Sequence, residues 1–163
     1  MLKHFLTLTL CAVFTLPQTA KADMVHSAAI RYAEYLQARI SASDLDAFTP
    51  YISAEMLAAR AEYVDSFAAK KGISTADVEQ RLIERTKYAE NCIGARDFKG
   101  GEAAGSDKVI LKYSFKDKCA GANAIAANIE EVTMIHENGM WKVGHVTAYP
   151  EKPVKMKKVM PLE

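Results

Sequence analysis

The sequence predicts an α+β fold in which three N-terminal helices pack on one face of a four-stranded antiparallel sheet. Two observations lead there. Apolar residues recur at helical spacing up to about residue 91 and at alternating spacing beyond it. The alternating half also carries two hairpin signals, Gly105-Ser106 and Asn138-Gly139. At 163 residues, half of them hydrophobic, the chain has the size of one domain. That is long enough to bury about 0.7 of the surface its unfolded form exposes.

Residues 1–22 come first and read as an address. Lys3 supplies a positive start, Phe5 to Leu16 an apolar run of 12 residues, and Pro17 breaks it. Ala20-Lys21-Ala22 then offers the small-x-small pattern of a signal-peptidase site, with cleavage expected between Ala22 and Asp23. The run is too short for the ~20 residues of a spanning helix, and no later stretch reaches that length. Cys11 follows Leu10 rather than a small residue, which argues against lipidation. A processed chain would keep 19 basic and 20 acidic groups, with no electrostatic footprint for nucleic acid. The expectation is an exported, periplasmic or secreted domain without a transmembrane segment.

Along the body, Val25, Ala29, Tyr32, Leu36 and Ile40 form the stripe of a first helix over 24–42. Ser43 and Asp44 suit a turn or N-cap, Leu45 to Phe48 one helical turn, and Pro50 its end. Ser53 caps a second helix with Leu57, Ala61, Val64 and Ala68 in line, and Gly72 stops it. Ser74 and Asp77 resemble a capping box opening a third helix through Val78, Leu82 and Ala89. The mixed charges on these helices, from Arg60 and Glu62 to Arg85 and Lys87, read as solvated faces.

The sheet begins with a hairpin centred on Gly105-Ser106, where paired positions sum to 211. Cys92 and Cys119 obey that sum, so the two meet, and in an exported chain they read as a disulfide staple rather than a metal or redox pair. Closing their 27-residue separation is worth ~3.5 kcal/mol on the chain-entropy account. The register also pairs Phe98 with Tyr113 but sets Lys99 against Lys112, which leaves a longer loop over Gly100 to Asp107 open. Val109, Leu111, Tyr113 and Phe115 alternate with Ile110, Lys112, Ser114 and Lys116 in a half-buried strand, and Tyr113 enters a pocket if that strand presents its apolar face inward. The next runs from about Asn123 to Glu137, and its apolar parity switches between Ile129 and Val132, suggesting a bulge at Glu130-Glu131. The last strand covers Met140 to Ala148, and a basic, proline-punctuated tail over 150–163 follows. The domain proper thus spans 23–149.

The leading helix, the Asp44-Leu45-Asp46-Ala47-Phe48 turn and the terminal Glu137-Asn138-Gly139-Met140-Trp141-Lys142-Val143 hairpin resemble small exported members of the nuclear-transport-factor-2-like superfamily. The resemblance covers about residues 24–149. It implies a roll in which helices lie across a curved sheet and the curvature leaves a conical pocket. It departs from the pattern in showing no clear strand between the second and third helices. Envelope-complex accessories and inhibitor or immunity proteins are the company it implies.

In the Asn138-Gly139 register, His136 pairs with Trp141, Met134 with Val143 and Val132 with His145, all on one face. The pocket candidates are therefore Tyr113, Met134, His136, Trp141, Val143 and His145. The histidines lie ~13 Å apart in this register, too far to share one zinc. His136 reads as a rim residue and His145 as a satisfied buried histidine, with a pocket role as acid or base the sharper alternative. Glu130 joins them if the bulge turns it inward. No nucleophile elbow, zinc-helix, phosphate-loop or dinucleotide motif is present, and no cofactor or metal is expected. The expected role is non-catalytic binding of a protein partner in the cell envelope. A small apolar ligand held between helices and sheet is the second reading, and an isomerase- or dehydratase-like enzyme the third.

Overall fold

The computed structural model describes residues 18–119 and 128–150. Helix α1 spans Gln18–Ser41, a 3-10 helix follows over Leu45–Tyr51, and then come α2 (Ala54–Lys71) and α3 (Thr75–Ile93). Four strands follow among the described residues: β1 (Arg96–Ala103), β2 (Lys108–Phe115), β3 (Asn128–Glu137) and β4 (Met140–Pro150). The sheet is antiparallel throughout in the order β1-β2-β3-β4, with the helices on one face. The α+β class is thus the one expected from the change of period. Most of the expected leader, the first residues of the expected third strand and the tail from 151 onward lie outside the described residues.

The helix boundaries follow the capping chemistry. The Asp44 carboxylate accepts from the Ala47 N–H and starts the 3-10 helix; the Ser53 hydroxyl accepts from Met56 N–H and starts α2. Gly72 ends α2 in the left-handed region at φ 63°, where a side chain would be strained. Ser74 and Asp77 form a complete capping box at the head of α3. The inward face of α1 is Ala28, Tyr32 and Tyr35 rather than the full expected stripe; Ile40 stands 46% exposed and Ala61 of α2 is exposed too. Arg60 also leaves its expected solvated face, donating to the Leu45 carbonyl at 2.9 Å. An isolated bridge between Ile52 and Val143, with the Ser53 N–H donating to Val143 O at 2.9 Å, pins the 3-10 segment to β4.

The registers need three corrections. β1 and β2 keep the expected sum from Arg96–Phe115 to Phe98–Tyr113, then shift by one, so Gly100 pairs with Lys112. Lys99 is the extra residue, a bulge that takes it out of line with Lys112 and relieves the like-charge pairing. The turn is accordingly one residue longer than the Gly105-Ser106 signal implied, closed by Ala104 N–H to Lys108 O at 2.8 Å.

In the last hairpin Asn138 and Gly139 both take positive φ, 53° and 79°, as the expected turn requires. His136–Trp141 and Met134–Val143 pair as expected, but a second bulge at Gly144 then shifts the strand. Thr133 meets His145, and Val132 meets Val146. A β-carbon on Gly144 would lie 2.5 Å from Ile135 Cδ1, so the crowded bulge needs glycine. No bulge occurs at Glu130-Glu131: the β2–β3 ladder runs unbroken from Lys108–Ile135 to Phe115–Asn128. The parity switch has another cause. Glu130 occupies an inward position of a regular strand and is 4% exposed. Both bulges sit in edge strands, where they bend the sheet around the helices and interrupt a flat edge.

Cys92 and Cys119 are disulfide-bonded, with Cα atoms 5.0 Å apart. Cys92 belongs to the last turn of α3, not to an extended hairpin. The staple therefore joins the end of α3 to the segment that follows β2, beside the Lys118 N–H that donates to Cys92 O.

Candidate functional site

A groove of about 920 Å³ lies between α1 and the edge strand β1. One wall is helical, from Val25, Ala29, Ile30 and Ala33; the other is Phe98, Ala103 and, behind them, Tyr113 of β2. The two walls approach closely because Gly101 carries no side chain: a β-carbon there would fall 2.8 Å from Val25 Cγ1 and 3.0 Å from Leu111 Cδ2. Ile30 and Phe98 stand at the lips, about half exposed, and Lys21, His26 and Glu102 supply the polar rim. The expected cleavage point between Ala22 and Asp23 falls within α1, at this end of the groove.

Tyr113 connects the groove to the interior. Its ring centroid lies 5.3 Å from those of both Phe98 and Tyr32. Burial, reinforced by the charge of Glu130, pushes its phenol up to about 12.

Behind Tyr113 lies a buried ionic cluster. Arg96, at the start of β1, donates through Nε to Glu130 Oε1 at 2.7 Å and through Nη1 to Glu90 Oε2 at 2.6 Å. Tyr32 Oη donates to Glu130 Oε1 at 2.7 Å, and Arg39 Nη2 approaches Glu90 Oε1 at 3.2 Å. Two arginines thus balance two glutamates that are 3% and 4% exposed. Burial disfavours the Arg96 charge, but its hydrogen bonds to Glu90 and Glu130 outweigh that and raise its pKa. Burial and then Glu130 push the Tyr32 phenol far above its ordinary range, so it stays a donor. Tyr35 is raised by burial too, against the opposing charge of Arg39. This cluster ties α1, α3, β1 and β3 together.

The six pocket candidates do not line one cavity. Met134 and Val143 are sealed in the core at 0% exposure, as are Val109, Leu111, Val132 and Tyr32 around them, so side chains fill the space between helices and sheet. His136 is exposed near the hairpin tip, its ring 5.0 Å from that of Trp141. Trp141 borders two smaller hollows beside α1, one of which shares Ile30 with the groove. The Gly144 bulge turns His145 to the outer face of the sheet, where it is exposed rather than buried. Only Tyr113 reaches the groove. Cys92, Asp117 and Cys119 place ligand-type atoms within 4.8 Å of one another, but the two sulfurs are spent on their mutual bond.

Sequence reasoning missed most of the ionic cluster and the groove itself, of whose lining residues only Tyr113 was a pocket candidate. The one legible trace was Glu130, which interrupts an apolar alternation. No protein-family model, curated protein or solved structure matches the chain.

Proposed function

We propose that this chain is an exported, non-catalytic binding protein that engages a protein partner of the cell envelope through the groove between α1 and β1. The observation that carries the reading is the pair of half-exposed apolar side chains, Ile30 and Phe98, that line the same predominantly apolar groove. Contiguous apolar surface rimmed by polar groups is what partner sites on monomers present. The disulfide and the leader-like segment support the exported location. The helix-first order, the Asp44 cap and the terminal hairpin support placing the chain beside small exported nuclear-transport-factor-2-like proteins, and that placement remains part of the proposal.

The test is co-purification from the native envelope with wild type and an Ile30→Asp/Phe98→Asp variant. Both positions lie outside the sealed core, so the variant should fold normally. Loss of one specific partner from the variant, at unchanged thermal stability, is the expected result. Equal recovery of that partner by both proteins would sink the reading.

A second reading has one observation of its own: 920 Å³ falls within the ~300–1,000 Å³ of small-molecule sites. Native mass spectrometry separates the two. An adduct of many kilodaltons belongs to the partner reading, and one of a few hundred daltons to a small apolar ligand.

A further inference from the structure

The two edges of the sheet, β1 and β4, are not alike. Along β4 the Ser53 N–H donates to Val143 O at 2.9 Å and Ile52 bridges to the same residue, so the link between the 3-10 helix and α2 covers part of that edge. The edge of β1 has no such cover among the described residues. Which of its backbone groups stand open follows from the register. Ala104 N–H donates to Lys108 O at 2.8 Å, so 104 and 108 form a hydrogen-bonded pair, and antiparallel pairs alternate in type. Glu102–Ile110 is then a bonded pair, whereas Gly101–Leu111 and Ala103–Val109 are not. The N–H and C=O groups of Gly101 and Ala103 therefore point away from β2, on the edge that borders the α1–β1 groove. Toward α1 these two residues offer only a hydrogen and a methyl group, which leaves room for the side chains of a strand laid alongside. Between them Glu102 is exposed, takes the opposite face by parity, and makes no ion pair among the described residues.

We infer, resting on the reading of this groove as the partner site, that the partner presents an extended segment of apolar–basic–apolar pattern, which adds to β1 as a further antiparallel strand. Its two apolar residues form hydrogen-bonded pairs with Gly101 and Ala103 and send their side chains into the groove that Phe98 and α1 line. The basic residue between them comes opposite Glu102 on the other face, where an opposite-charge pair is favourable. Main-chain bonds supply affinity in such additions, and the alternate side chains supply specificity. The Lys99 bulge ends the regular edge on one side and the turn after Ala103 ends it on the other, so a short motif fits where a long flat strand does not. A second copy of this chain suits the edge poorly. Two β1 strands paired through Gly101 and Ala103 about a two-fold axis would set Glu102 against Glu102.

The test measures fluorescence anisotropy of a short labelled peptide, STLKLTS, with the purified protein. N-methylating a leucine of the peptide removes a main-chain donor from the pairing edge, whereas N-methylating its lysine removes one that points away. Ala103→Pro deletes the outward N–H and spares the β1–β2 ladder, which does not use it. Leucine methylation and Ala103→Pro should each weaken binding about tenfold, and lysine methylation should leave it within about twofold. Glu102→Lys should weaken binding of STLKLTS and strengthen that of STLELTS. Absence of saturable binding to wild type up to about 1 mM, or equal losses from methylating leucine and lysine, would overturn the inference. Co-purification from the envelope separates this failure from that of the groove. A partner lost from Ile30→Asp/Phe98→Asp but kept by Ala103→Pro leaves the groove as the site and overturns strand addition alone; kept by both variants, it overturns the two together. A wild-type dimer that Ala103→Pro dissociates overturns strand addition by a partner as well, since a second copy would then hold the edge.

Discussion

Replacing Arg96 by methionine should be among the most destabilising single changes in this protein. The guanidinium makes its closest contacts to Glu130 at 2.7 Å and to Glu90 at 2.6 Å, with a second nitrogen 3.3 Å from each carboxylate. Methionine fills much of the volume but leaves both carboxylates buried. Glu90 would keep Arg39 at 3.2 Å, on the partly solvated side. Glu130 would keep only the Tyr32 hydroxyl, and a neutral donor does not balance a buried charge. Breaking one side of a buried pair costs about 3–5 kcal/mol, a large share of the 5–15 kcal/mol by which domains of this size are stable. The asymmetry supplies a sharper test. Glu130→Leu in the Arg96→Met background removes the orphaned charge, so the double variant should regain about 2 kcal/mol or more relative to the single. Urea unfolding followed by the fluorescence of Trp141, the one tryptophan, measures each corner of this cycle. A loss under about 1 kcal/mol for Arg96→Met, or strictly additive effects, would refute the idea that the cluster is a coupled buried unit.

Three further outcomes follow from the same geometry. Cys92→Ser/Cys119→Ser should lower unfolding stability by ~3.5 kcal/mol, read from the urea midpoint; a change under ~1 kcal/mol would mean the staple constrains little. Tyr113 titrates higher in the fold than in the unfolded chain, so the native state holds its proton longer. Its contribution is therefore complete below pH 10 and should fall away between pH 10 and about 12, where Tyr113→Phe should flatten the decline in urea stability. His145→Ala should change stability by no more than about 0.5 kcal/mol, as expected for an exposed outer-face residue; a loss several times larger would contradict the Gly144 bulge.

Much of the fold was legible because local chemistry and tertiary structure agree. Asp44, Ser53 and Ser74 each offer an oxygen where a helix begins, and Asn138-Gly139 supplies two positive φ values where a strand must reverse. One failure came from the belief that an inward position must be apolar. Glu130 is inward and charged, so its break in the alternation looked like a bulge. The real bulge at Gly144 does leave a trace in apolar spacing, since Trp141 and Val143 give way to Val146 and Ala148 on the other parity, but the paired reading of the Asn138-Gly139 hairpin ran straight past it. His145 was consequently assigned to the wrong face. Arg96 and Glu90 were illegible for a related reason: each is balanced by a residue from another element, and such balance exists only in three dimensions. The groove was hidden likewise, since it depends on the missing β-carbon of Gly101 letting α1 descend onto an edge strand.

The ionic cluster also constrains the order in which this chain can fold. Tyr32 meets Glu130 across 98 residues, and the bridge from Ile52 to Val143 is nearly as long-range. Contacts of such separation form late, after the entropy of closing long loops has been overcome. Until β3 is made, Tyr32 and Arg96 have no Glu130, and the inward face of α1 has no sheet to cover it. A nascent chain carrying only the three helices should therefore stay loose, susceptible to protease and open to chaperones. The native state becomes available only when the last hairpin arrives.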